Sequence, residues 1–303
     1  MEDAAAGTQF GLVCITVSEA VRYRTLTRKR LLAMTPEMQT ETLRRLYADN
    51  LQRLRGAIEF CSERGIKLYR LPSSLFPFAD DAAGADLLEE LADELRKAGD
   101  AARAAGLRLV LHPDQFVVLN SDSPQVIANS IKILSTQARI FDLLGLPRSA
   151  WAAMNIHGGK GGRGERLVGV IRDLPEAIRT RLTLENDEYT YDAATTVKLC
   201  REAGVPMVFD AHHHVCREKL SSYDDPSVGE MLAAARTTWP VPEWQLVHIS
   251  NGREFFLDPR HSDLIADLPA SYTQAGQTLW IEVEAKWKEQ AIEKLRRDGP
   301  TAA

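Results

Sequence analysis

Short apolar runs alternate with longer segments of three- and four-residue apolar spacing along almost the whole chain. The runs are Gln9–Ile15, Ile66–Leu71, Leu107–Pro113, Ala152–His157, Leu182–Asp187, Met207–Asp210, Gln245–Ser250 and Thr278–Lys286. Each has the length of a strand, and a run apolar on both faces suits a strand covered on both sides. The intervening periodicity predicts helices near Pro36–Cys61, Asp86–Ala105, Pro124–Leu144, Arg166–Thr180, Tyr191–Ala203, Ser227–Thr237, His261–Leu268 and Trp287–Arg297. Thr35 and Pro36 form a cap and a first helical position, while Gly65 and Gly145 are natural stops. Eight such units imply a parallel sheet closed into a (β/α)8 TIM barrel, an α/β fold. The rival is an open doubly wound sheet, but no Gly-x-Gly-x-x-Gly follows the first strand. No linker rich in proline, glycine or serine divides the chain, so one domain is expected, with residues 1–8 a disordered lead-in, 9–298 the barrel and 299–303 a tail.

Composition narrows the class. At 303 residues the chain suits one such barrel, typically about 250 residues. The apolar runs are far shorter than the roughly 18 residues that span a bilayer, so no membrane partner is expected. The first residues, Met1–Gly7, lack the basic and apolar regions of a secretory signal. The four cysteines (Cys14, Cys61, Cys200, Cys216) are scattered, which fits reduced thiols and a cytoplasmic location. A net charge of −5 argues against a generic nucleic-acid coat. Acids that hold divalent ions reverse the local field, however, so the total charge is a poor guide to the working face.

The chemistry collects at strand ends. Of seven histidines, His112, His157 and His248 end strand runs, His212, His213 and His214 follow the sixth, and His261 lies after the seventh. Glu185, Asp210 and Glu284 sit at the ends of the fifth, sixth and eighth. In a parallel barrel all strands end on one rim, so these residues converge. So many imidazoles and carboxylates would be costly to bury together unless cations satisfied them. Nitrogen and carboxylate donors suit Zn²⁺, Mn²⁺ or Fe²⁺ without choosing among them, and their surplus over one coordination shell points to more than one ion. Closely spaced divalent ions serve chiefly to cleave phosphodiester or related bonds. Cys216, two residues after His214, is a weak further ligand signal. Val21–Arg30 carries five bases in nine residues around Tyr23, and read alone it is a solvated charged loop.

Several motifs together resemble the UV damage endonuclease family. They are Leu111-His112-Pro113-Asp114-Gln115-Phe116, Asn155-Ile156-His157-Gly158-Gly159, Leu184-Glu185-Asn186-Asp187-Glu188, Asp210-Ala211-His212-His213, Val247-His248-Ile249-Ser250 and Glu284-Ala285-Lys286, preceded by Gly11-Leu12-Val13-Cys14 and Tyr23-Arg24-Thr25. The resemblance runs from about Phe10 to Gln290. It implies a trinuclear metal centre in which His112, His157 and Glu185 hold one ion. Glu185 would bridge to a second held by Asp210, His248 and Glu284, and His213 and His261 would hold a third. It further implies a nick in duplex DNA immediately 5′ to ultraviolet photoproducts, leaving a 3′-hydroxyl and a 5′-phosphate, by an enzyme acting as a monomer at the nucleoid. Gln115 and Phe116 match the pair that probes the duplex, with phenylalanine keeping a stacking wedge.

By the same resemblance Tyr23, Arg24, Lys160 and Arg163, with Arg22 and Arg28, join the rim that meets phosphates, and Lys286 touches the scissile phosphate or supports the ligands. His212 and His214 flank the ligands. Ser74 and Leu246 stand where some members carry a histidine and a modified lysine, and Leu12 and Thr16 where some carry a tyrosine and an asparagine. A sugar isomerase or epimerase on the same barrel is the enzymatic alternative, and a non-catalytic binder of damaged DNA is the other.

Overall fold

The computed structural model describes residues 7–298 apart from Gln115 and Ala275. The eight apolar runs become β1 (Thr8–Val13), β2 (Leu68–Leu71), β3 (Arg108–Leu111), β4 (Met154–His157), β5 (Leu182–Glu185), β6 (Met207–Asp210), β7 (Leu246–Ile249) and β8 (Leu279–Val283). They close in chain order into a parallel barrel, with β1 paired to both β2 and β8. Thr8, expected in the lead-in, is the first residue of β1. Residues 1–6, 299–303 and Gln115 lie outside the described residues.

Alternation along each strand sorts residues into two environments. Tyr69, Leu71, Leu109, Met154, Leu184, Phe209, Val247, Ile249, Ile281 and Val283 face outward into the main core beneath the helices. Their neighbours Leu68, Val110, Val208, Leu246 and Trp280 face the barrel axis and form a second apolar cluster. This cluster is the floor of the barrel. Arg108, on the same inward side, is 1% exposed and donates to the carbonyls of Trp151 (2.8 Å), Trp244 (2.8 Å) and Ala150 (3.1 Å). Its guanidinium also lies over the Trp151 ring at 4.6 Å, and Trp151 meets Trp280 edge-on at 5.1 Å. The buried charge is thus satisfied by carbonyls and ring faces.

Several helices differ from the periodicity. The span 86–105 is two helices, Leu87–Glu90 and Ala92–Ala104. The span 166–180 breaks into Gly164–Asp173 and Glu176–Arg179 at Pro175, and Leu174 before it is extended, as a residue preceding proline prefers. No helix spans 261–268; His261 instead pairs with Gly252 in an isolated antiparallel bridge. Within the basic stretch, expected to be a solvated loop, Arg28–Leu32 forms a short helix capped by Thr27. The three consecutive histidines lie in a helix, Ala211–Glu218, that starts directly after β6. Asp210 caps it, its carboxylate accepting from the His213 amide at 2.8 Å.

The floor supports everything above it, and Trp280 is its largest member. Trp280→Ala should lower the unfolding free energy by about 3–5 kcal/mol in a denaturant titration, the usual range for emptying a buried tryptophan site. A loss below about 1 kcal/mol would mean that the floor is dispensable.

Candidate functional site

One step above the apolar floor, the inward positions change character. They are Arg70 of β2, His112 after β3, Asn155 and His157 of β4, Glu185, Asp210, His248, then Glu282 of β8 and Glu284 just past it. Strand register sets the neighbours: His157 lies beside Glu185, Asp210 beside His248, and His248 beside Glu282. Gly11 of β1 lies beside Glu282 on the other side, and a methyl group there would come within 2.5 Å of the Leu68 side chain.

Three sets of side chains bring donor atoms within 4.8 Å of one another: His112 with His157 and Glu185; Glu185 with Asp210 and His213; and Asp210 with His248 and Glu284. Glu185 and Asp210 each belong to two sets, so the groups form one chain of donors. Glu185 Oε2 is 3.2 Å from His112 Nε2 and 4.0 Å from His157 Nε2, and its other oxygen is 3.1 Å from His248 Nδ1. Backbone contacts orient two rings. The Nδ1 of His112 is 2.9 Å from the Pro113 carbonyl, which turns Nε2 to Glu185. The Nδ1 of His213 is 2.9 Å from the Asn186 carbonyl, leaving Nε2 3.5 Å from Glu188.

His213 and His261 are not brought into one set. His261 is a third exposed and approaches Glu284 at 3.7 Å. Lys286 forms no side-chain hydrogen bond or ion pair among the described residues; its amide donates to Ser262. His212 is held between the Tyr223 hydroxyl (2.6 Å) and the Asp258 carbonyl (2.9 Å), and His214 contacts Ser227 at 3.1 Å. Both support the helix rather than the donor chain. Cys216 lies 3.6 Å from His212 and joins none of the three sets. Leu246 is part of the apolar floor.

The donor set fits divalent cations on charge and on bonding. Glu185, Asp210, Glu282 and Glu284 are each less than a tenth exposed, and Arg70 bonds Glu284 and lies 3.6 Å from Glu282. Asp210 Oδ2 is buried with no hydrogen-bond partner among the described residues. A buried carboxylate oxygen without a donor is costly, and a cation is the partner that nitrogen and oxygen ligands would share with it.

The titration of the cluster follows the same forces. Burial pushes the Glu185 carboxyl up, but His248 and His157 outweigh it and hold it well below the usual range. Burial opposes charge on His248, yet Glu185, Glu282 and Glu284 hold it well above the ordinary imidazole value. Asp210 and Glu185 do the same for His213. At His157 burial prevails and the pKa falls.

Around this centre, the loops that follow the strands form the rim. Asp122 gathers Lys160 (3.5 Å), Arg163 (3.1 Å) and Arg166 (3.0 Å); Arg163 and then Lys160 pull its carboxyl down to about 2. Arg24 pairs with Asp49, and Arg28 with Asp81 at 2.8 Å. Tyr23 turns inward, its hydroxyl 2.7 Å from that of Tyr69. Four aromatic side chains of the post-strand loops stand in solvent: Phe116, Tyr189, Phe255 and Trp287.

Reading strand ends alone missed Arg70, Asn155, Glu188 and Glu282. Period-two alternation could have found Glu282, which shares a strand face with Glu284. A lone arginine inside the apolar second run was the signal for Arg70.

A parallel barrel with a buried His/Asp/Glu donor chain at its C-terminal end defines a barrel hydrolase or isomerase class equipped to hold metal. Comparison with known proteins narrows the class. The family model described as UV-endonuclease UvdE matches residues 8–301. The UV DNA damage endonuclease of Nostoc sp. is 54% identical over 96% of this chain and 90% of its own length. That of Deinococcus radiodurans is 50% identical over 96% of each. The crystal structure of SacUVDE superposes with a TM-score of 0.79 at 22% identity, covering 97% of this chain and 100% of that one. The chain belongs to the UV-endonuclease UvdE family and is a DNA-repair endonuclease for ultraviolet damage. Among the described residues no helix is long and apolar enough to cross a membrane.

In the metal-free protein, His213 and His248 hold protons near neutrality. The stability this pairing contributes is complete below about pH 6.5 and fades as pH rises through the raised pKa values. The part contributed by the depressed Glu185 runs the other way: it is present above about pH 4.3 and lost as pH falls. Metal ligation requires neutral rings, so uptake must expel protons. Titration of Mn²⁺ at pH 7 in buffers of different ionisation enthalpy should register net proton release, and the Mn²⁺-induced rise in Tm should grow between about pH 6 and pH 8. A shift independent of buffer and pH would contradict this assignment.

Proposed function

We propose that this endonuclease nicks duplex DNA immediately 5′ to ultraviolet photoproducts, leaving a 3′-hydroxyl and a 5′-phosphate, with two or three divalent ions of which Mn²⁺ is the first choice. The observation that carries the reading is the donor chain through Glu185 and Asp210, set under an open rim of cations and exposed aromatic rings. In this reading His112, His157 and Glu185 hold one ion, and Glu185, Asp210, His248 and Glu284 a second. His213 and His261 belong to a third, with Glu188 beside His213 Nε2. When bound, such ions activate water and take up charge on the departing oxygen.

The chain's own residues do the rest. Asn155 donates to Glu185 Oε2 at 2.5 Å and keeps that carboxylate oriented. Lys160 and Arg163 meet backbone phosphates in exchange for Asp122, a swap of one anion for another that leaves their charge balanced. Lys286, free of protein partners among the described residues, reaches the scissile phosphate. Phe116, 71% exposed and adjacent to Gln115, stacks into the duplex at the lesion. A photoproduct weakens stacking, so the duplex opens there at least cost. Arg24 contributes to the phosphate-binding rim, while the inward Tyr23 holds the loop that carries it. The enzyme acts as a monomeric single domain in the cytoplasm, at the nucleoid. An epimerase needs a closed pocket around a small sugar, and four exposed rings on the rim favour a large, open substrate instead.

The test is a labelled duplex with a single photodimer, incubated with purified protein and Mn²⁺, with and without chelator. A chelator-sensitive cut immediately 5′ to the dimer is expected; binding without cutting would sink the proposal. Glu185→Gln should lower the cleavage rate by more than about 100-fold, because even outer partners of metal ligands are worth about 10–100-fold. Phe116→Ala should weaken binding to the damaged duplex by about 1–3 kcal/mol in a titration, the usual worth of an aromatic–base stack, with little change in Mn²⁺ affinity.

A further inference from the structure

Glu282 is a fourth buried carboxylate at the centre, 1% exposed, and it belongs to none of the three donor sets. Its Oε2 makes a short hydrogen bond with His248 Nε2, its register neighbour across β7 and β8. Its Oε1 has no hydrogen-bond partner but faces Arg70 Nε at 3.6 Å. Arg70 reaches past it to bond Glu284, the next inward residue, just beyond the end of β8. The guanidinium therefore sits against two acids that alternation places on one face, and offsets their mutual repulsion.

The ring of His248 is consequently gripped on one side only by a residue outside the donor chain. Nε2 faces Glu282, while Nδ1 lies 3.1 Å from Glu185 and 3.6 Å from Glu284. Turning the ring over would put carbon atoms against these carboxylates, so the contacts select one orientation. We infer that Glu282, braced by Arg70, is a positioning residue that keeps the proton of His248 on Nε2 and presents Nδ1 as the metal-facing nitrogen. A carboxylate behind a metal-bound imidazole fixes its tautomer and strengthens it as a donor. This inference rests on the proposed metal centre and adds which nitrogen is used, and why.

The experiment compares the full-length protein with Glu282→Gln and Glu282→Leu. Gln keeps an acceptor for Nε2–H; Leu removes it. Calorimetric titration with Mn²⁺ should show an affinity loss of about 10–100-fold for Leu and most of the wild-type affinity for Gln. Equal affinity in Leu and wild type would overturn the inference while leaving the metal centre intact. Failure of the wild type itself to bind would overturn the metal centre, and the inference with it. Should the Leu variant not fold, histidine ¹⁵N spectra of the Zn²⁺-loaded wild type decide alone. A His248 ring protonated at Nε2 with Nδ1 ligated is expected, and one protonated at Nδ1 refutes the role. A purely structural Glu282 would shift Tm without altering that signature.

Discussion

Four carboxylates and a set of imidazoles packed into one end of a barrel repel or desolvate each other, and the rest of the molecule is arranged to hold them there. Water cannot screen them, because Glu185, Asp210 and His248 are each at most 1% exposed. Their charges are answered instead by one another and by Arg70, with the remaining deficit of positive charge suited to divalent ions. The directions of the titration shifts express that tension. Glu185 is driven to stay ionised while His213 and His248 are driven to stay protonated, as expected when acids outnumber fixed cations.

Rigidity under such a centre comes from the floor. Leu68, Val110, Val208, Leu246 and Trp280 fill the axis directly below, and Arg108 ties the lowest turn together through three carbonyls. The same strands carry both layers, so a side chain that holds the floor fixes the backbone two residues before one that carries chemistry. Leu246 with His248, Val208 with Asp210, and Trp280 with Glu282 are such pairs. Precise donor placement follows from a dry, packed support rather than from loops.

The rim obeys different physics. Its cations are mostly half exposed and paired with exposed acids, as in the Asp122 group. Such pairs contribute little to stability, and they are easily traded for another anion. Exposed rings stand beside them. A surface of that kind suits a polyanion with stackable bases, and it needs none of the precision of the centre.

Much of this was legible in the chain itself. Short continuous apolar runs set between segments of period-3.6 patterning specified eight strands in the right places, and parallel closure followed from the alternation with helices. The converging strand-end residues His112, His157, Glu185, Asp210, His248 and Glu284 could be read because a parallel barrel sends every strand to one rim. Tertiary structure alone decided what each of them touches. The helix that starts at Ala211 separates three consecutive histidines, sending His213 to the centre and His212 to Tyr223, since residues adjacent on a helix point about 100° apart. Pairing across β7 and β8 put Glu282 against His248, and closure of the barrel brought Arg70 from β2 to Glu282 and to Glu284 just past the strand. Which residues would arrive at the rim is a property of local pattern; which atoms meet there depends on register and closure between segments more than two hundred residues apart.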